Sequence, residues 1–206
     1  MIGNGNTLES WGNISMLGTK DKPIRVEYLY SYDRSTAQTP GKVTLAFVEF
    51  DSGSLLGSAT NASTLVNDCV FQYLSETIVL ASEVGATHRW ERNVFYSCLG
   101  IYGSSPLILN NNVFALSESS IPDVTVLDSL VANSNSFLSN SATTVMLGAK
   151  AADLRNNYWG GLQDADVPSH IFDNNDDLNI QGVATYLPTL PSAHSDTPSL
   201  DKTYFP

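Results

Sequence analysis

Basic side chains are scarce in this sequence: 10 Lys and Arg stand against 21 Asp and Glu, and charged residues make up only 15% of the 206 positions. Nucleic-acid binding needs clustered cations that displace counterions from phosphates, and so few, scattered along the chain, form no such stripe. Nucleic-acid partners are therefore excluded. Long apolar runs are missing as well, since nothing approaches the roughly 18–20 residues that cross hydrocarbon as a helix. No membrane partner is expected. The opening MIGNGNTLES lacks a basic region followed by an apolar stretch, so no signal peptide is read in this chain. Cysteine is limited to Cys69 and Cys98, 29 positions apart, too few for a metal quartet. Free buried thiols are expected ahead of a disulfide. Gly-rich phosphate loops, nucleophile elbows and zinc spacings are absent.

What remains is a chain with 42% hydrophobic residues, ordinary for one folded domain. Its acidic, charge-poor, Asn/Ser/Thr-rich composition fits an extracellular protein or one on a cell or virion surface. Sustained helical periodicity is missing. In its place runs a repeat: NDCVFQ (67–72), ERNVFY (91–96), NNNVFA (110–115), NSNSFL (133–138) and RNNYWG (155–160). The aromatics Phe71, Phe95, Phe114, Phe137 and Trp159 recur at spacings of 24, 19, 23 and 22, and Phe50 precedes Phe71 by 21. Two positions before the aromatic stand Val48, Cys69, Asn93, Asn112, Asn135 and Asn157. Three further back stand Leu45, Val66, Trp90, Leu109, Ala132 and Leu154, all apolar. A second apolar cluster follows each aromatic: Ile78 and Leu80, Ile101, Val124 and Val126, Val145 and Leu147.

Short strands separated by Gly, Ser, Asn and Asp turns, at a period near 22, cannot bury their apolar faces one coil at a time. Stacking coils about 4.8 Å apart solves this. The expected fold is all-β: a right-handed parallel β-helix of about seven short coils, with the rings in one internal stack and the asparagines in a ladder. Residues 1–160 form the coils. Residues 161–206 form a capping and exit segment of the same domain, with a short helix in DVPSHIF (166–172) and with Val183, Tyr186, Leu187 and Leu190 covering the last open edge. Length varies most in the loops 31–41 and 52–63. The repeat begins almost at Met1, so the uncapped N-terminal edge predicts a homo-oligomer through that edge or a further upstream segment.

The Asn-x-Phe steps, the coil GNISMLGTKDKPIRV and the tail RNNYWGGLQDADVPSHIFDNNDDLNIQGVATYLPTLPS resemble right-handed parallel β-helix repeat proteins of the pectate-lyase-like superfamily, over about residues 7–192. The resemblance implies the fold. It implies no single activity, because lyases, hydrolases, tailspikes, adhesins and non-catalytic members share it. Neither the calcium-binding acids with a catalytic Arg or Lys of the lyases, nor the paired Asp residues and Gly-His-Gly step of the hydrolases, has a residue-by-residue match here.

The candidate acid–base residues are Asp68, Glu91 and Arg92, with Arg155 as a further outward charge. Adjacent coils would set Asp68 beside Arg92, and Asp68 and Glu91 could meet the carboxylate separation of a glycosidase. A surface ion pair is the competing reading. His88, Arg89, Trp90, Glu91 and Arg92 form the densest chemical cluster, in which Arg89 is a candidate for binding an acidic sugar and Trp90 falls in an inward slot. Tyr28, Tyr30 and Tyr32 alternate in VEYLYSY, as a sugar-stacking ridge if outward or as core if inward. Asp173, Asp176 and Asp177 offer a calcium site, without the Gly and bidentate Glu of an EF-hand loop; an Asp/Asn turn competes, and no other cofactor is expected. The leading functional expectation is a non-catalytic module that binds carbohydrate or serves as a surface scaffold. The alternatives are a polysaccharide lyase or glycoside hydrolase, and a structural part of a phage tail or adhesin.

Overall fold

A computed structural model describes residues 7–10, 12–33, 41–55, 62–80, 85–115, 121–139 and 142–200. Each full coil lays down three short strands with a bend between them. In one coil these are His88–Glu91, Val94–Tyr96 and Ile101–Gly103; in the next they are Leu107–Asn110, Val113–Ala115 and Val124–Val126. Corresponding strands pair in parallel, so Trp90 lies against Leu109, Phe95 against Phe114 and Ile101 against Val124. Among the described residues three sheets result, here called I, II and III in their order within these coils, with eight, seven and five strands.

The protein is thus an all-β parallel β-helix of about six turns, one fewer than the sequence count. At the N-terminal end the described strands belong to two sheets. Thr7–Ser10 and Ile24–Asp33 belong to sheet II, and Ile14–Leu17 and Lys42–Ala46 to sheet I. Among the described residues, sheet III begins only at Ile78–Leu80. At that same end Leu8, Ile14, Met16 and Ile24 are only partly buried against the core.

The repeat positions occupy the slots that packing requires. Leu45, Val66, Trp90, Leu109, Ala132 and Leu154 are buried, as are Ile78, Leu80, Ile101, Val124, Val126, Val145 and Leu147. Phe50, Phe71, Phe95, Phe114, Phe137 and Trp159 form one internal column, with successive centroids 5.3, 5.1, 4.7, 5.2 and 4.8 Å apart. Offset rings at these separations add to their buried area about 0.5–1.5 kcal/mol per pair.

Beside the column runs the asparagine ladder. Asn93, Asn112, Asn135 and Asn157 are fully buried. Each amide oxygen accepts the backbone N–H of the preceding ladder residue, from Cys69 N to Asn93 Oδ1 at 3.0 Å through Asn135 N to Asn157 Oδ1 at 2.8 Å. Just before each ladder position the chain bends from sheet I to sheet II through a residue of positive φ: Phe47, Asp68, Arg92, Asn111, Ser134 and Asn156. That conformation costs a non-glycine residue about 1–2 kcal/mol. The ladder amides therefore hold a bend that the backbone alone would not choose.

Trp159 closes the ring column, and Gly160 and Gly161 follow at φ 62° and 88°. Two successive left-handed positions suit glycine and turn the chain out of sheet II. The tail then makes a 3₁₀ turn at Val167–His170, adds Ile171–Phe172 to sheet III and adds Ala184–Thr185 to sheet I. Of the expected covering residues, Tyr186 packs against the core, but Val183 and Leu187 are 44% and 47% exposed; Ile180 and Ala184 pack against it as well. Pairing of Ala184 with Ala152 sets this phase and turns Val183 outward.

Candidate functional site

The outer face of sheet II carries two columns of side chains, one on each side of the inward ring slot. Strand register aligns Arg25, Glu49, Val70, Val94, Val113 and Ser136 in the first column, and Glu27, Asp51, Gln72, Tyr96 and Ala115 in the second. At its N-terminal half this face forms a groove of about 450 Å³ lined by Lys20, Arg25, Glu27, Glu49, Asp51 and Gln72. A neighbouring hollow of about 480 Å³ shares Lys20 and Glu49 and extends to Asp68, Arg92, Val94, Pro198 and Ser199.

Ion pairs organise the floor. Arg25 Nε stands 2.8 Å from Glu49 Oε2. One coil further, Arg92 donates through Nε and an Nη to both Asp68 oxygens at 2.7 and 2.8 Å. The expected Asp68–Arg92 contact is therefore present and bidentate. Glu91 approaches Arg92 at 3.6 Å and accepts from Arg89 Nε at 2.9 Å. The Arg92 pKa is raised, chiefly by its hydrogen bond to Asp68, with the charges of Asp68, Glu91 and Asp196 adding to this against burial. Asp68 and Glu91 thus sit on either side of one guanidinium.

Arg89 points outward from sheet I, and His88 and Trp90 point into the core on the same strand. Trp90 Nε1 donates to Thr64 Oγ1 at 2.7 Å, and Thr64 Oγ1 lies 3.0 Å from His88 Nδ1. Burial lowers the His88 pKa to about 4. Trp90 also reaches the ring column, 5.6 Å from Phe71 and 5.8 Å from Phe95. The HRWER cluster is thereby split across the sheet. Arg155 forms a separate exposed pair with Asp153 at 2.7 Å, remote from the groove in sequence register.

The tyrosines divide as well. Val26 and Leu29 are both buried because Tyr28, at φ 52°, interrupts the alternation of its strand. Tyr28 is 50% exposed and Tyr30 is half-buried; the Tyr32 side chain lies outside the described residues. The interruption repeats at Ser52, Tyr73 and Ser97 on successive coils, all with positive φ. Tyr73 is 42% exposed and meets Tyr96 edge to face at 5.7 Å. Tyr28 and Tyr73 directly follow Glu27 and Gln72 of the groove. The two exposed tyrosines thus stand on coils two apart, roughly 10 Å along the solenoid, each next in the chain to a residue that lines the groove.

Asp173, Asp176 and Asp177 serve their own loop. Asp173 is buried, and its two oxygens accept the Asn175 and Ala184 backbone N–H groups at 2.8 and 2.9 Å. Asp176 accepts from Asp173 N, and Asp177 from Asn179 N. Among the described residues no group of three or more His, Cys, Asp or Glu side chains is placed to hold a metal ion. Cys69 and Cys98 are free and buried, and burial pushes each thiol up to about 12.

Lys20, Arg25, Glu49, Gln72 and Tyr73 were not singled out by the sequence. The usable signal was the slot before each ring, but it is hidden where Val26 replaces the aromatic. No known protein family, curated protein or solved structure matches this chain.

Proposed function

We propose that this chain is a non-catalytic β-helix module, of the pectate-lyase-like kind its repeats resemble, that binds carbohydrate along the outer face of sheet II. The observation that carries the proposal is the charged groove of that face, with exposed Tyr28 and Tyr73 each next in the chain to one of its lining residues. Sugars are bound by charged and amide groups that engage pairs of hydroxyls, together with flat apolar rings that stack on pyranose faces. Arg25, Glu27, Glu49, Asp51 and Gln72 supply the first chemistry and the two exposed tyrosines the second. The formal charge of −11 repels polyanions, so neutral glycans are favoured over acidic ones. Such a module belongs at a cell or virion surface.

The catalytic alternative, a polysaccharide lyase or hydrolase, would use Asp68, Glu91 and Arg92. Its difficulty is that the guanidinium already engages both carboxylates. A binding screen over neutral and acidic polysaccharides, run with a parallel assay for cleavage, separates the readings. Binding without cleavage, weakened by Arg25→Ala and Tyr73→Ala, is the expected result. Cleavage abolished by Glu91→Ala or Arg92→Ala would sink the non-catalytic reading.

A further inference from the structure

We propose that the binding face continues beneath residues 190–199 as a second, apolar half, which a long glycan reaches by lifting that segment. The proposal rests on the carbohydrate reading for the ligand that enters.

The outward column changes character along the solenoid. Its first members are charged or half-open, Arg25, Glu49 and Val70, whereas Val94, Val113 and Ser136 are 5%, 1% and 1% exposed. These last three face away from the core, because their neighbours Phe95, Phe114 and Phe137 fill it. The C-terminal segment runs back along this side. Leu190 N donates to Asn157 O at 2.9 Å, and Thr197 Oγ1 donates to Ser134 O at 2.8 Å. Asp196 bears on the Arg92 charge, and Pro198 and Ser199 line the hollow that holds Val94 and Arg92. Val113 lies on the coil between these attachments.

This covering is thin. Pro191, Ser192, Ala193, Ser195 and Asp196 are exposed. Ser136 Oγ, on the covered face, is buried and has no hydrogen-bond partner among the described residues. Leaving such a hydroxyl unpaired costs about 1–3 kcal/mol, which a sugar hydroxyl would recover. Val94, Val113 and Ala115 offer the apolar ground on which a pyranose face rests. The covered half therefore matches the open half in direction and complements it in chemistry. A short glycan fills the open groove alone, and a longer one gains by displacing the segment.

The test uses the full chain. A thiol introduced as Val113→Cys reports uncovering through its maleimide labelling rate, with Val70→Cys as the reference in the open half; both native thiols are buried. Thr197→Val removes the attachment to Ser134 and should raise labelling at Val113→Cys about fivefold, leaving Val70→Cys unchanged. Thr197→Ser should restore the slow rate. Cello-, xylo- and manno-oligosaccharides are then compared as dimers and hexamers. The expected result is tighter hexamer binding by Thr197→Val, with dimer binding unaltered. Labelling that ignores Thr197→Val overturns the movable cover. Faster labelling, with hexamer and dimer binding both unchanged, overturns the second half-site. Absence of glycan binding by both forms overturns the carbohydrate reading, while faster labelling still upholds the cover.

Discussion

Asn112 Oδ1 accepts two hydrogen bonds from the preceding coil, one from Asn93 N and one from Asn93 Nδ2, both at 2.9 Å. Asn112 Nδ2 in turn donates to Trp90 O and to Asn135 Oδ1. Each rung thus satisfies buried groups on both sides of itself, and hydrogen bonds in such a row polarise one another. Asn112→Ala would leave the Asn93 N–H and the Trp90 carbonyl without these partners. A loss of about 2–4 kcal/mol is expected in urea unfolding. Asn179→Ala, in an exposed loop, should change stability by less than about 0.5 kcal/mol. Equal effects of the two changes would refute the ladder as a structural device.

The same ladder shows why the fold was legible and the site was not. Asn93, Asn112, Asn135 and Asn157 repeat because stacked coils impose one environment on equivalent positions, so residue identity records the fold directly. The outward columns face no such constraint. Arg25, Glu49, Val70 and Val94 share one register line and differ in chemistry, and their alignment emerges only once the register is known. Asp68–Arg92 was readable because both flank strong repeat motifs. The phase of the tyrosines was not, because a positive φ at Tyr28 inserts one outward residue without any glycine to announce it. The tail misled for a related reason: pairing of Ala184 with Ala152, rather than apolarity, decides which side Val183 takes.

His88 sets a pH dependence of stability. Burial holds it neutral, with the pKa lowered from 6.5 to about 4. The unfolded chain therefore binds more protons than the folded one between these values, and stability falls as pH drops through that window. Above about pH 6.5 the contribution is complete; by about pH 4 roughly 3 kcal/mol has been lost. Urea midpoints measured from pH 7 to pH 4 should follow this descent. His88→Leu should flatten it, although the lost bond to Thr64 lowers the plateau. An unchanged pH profile in that variant would place the titration elsewhere.

The two thiols should be inert in the native state. Cys69 and Cys98 are buried and both thiols are pushed up to about 12, so almost no thiolate exists at pH 8. Incubation with a thiol reagent at that pH should leave the folded chain unmodified, and both residues should react in denaturant. Rapid labelling of either in the native chain would contradict its burial.

Tyr28 separates stability from binding. A bulky residue at φ 52° is strained, and half of this side chain is exposed, so its ring returns little packing energy. Glycine adopts that conformation freely. Tyr28→Gly should therefore stabilise the fold, or leave it level, by up to about 1 kcal/mol. Ser52→Gly relieves the same kind of strain one coil further without removing a ring. If the tyrosine is retained for a ligand, Tyr28→Gly should weaken glycan binding about tenfold, or 1.4 kcal/mol, and Ser52→Gly should not. A destabilised Tyr28→Gly chain would mean that the ring serves packing. A stabilised chain with full affinity would move the sugar platform away from this ridge.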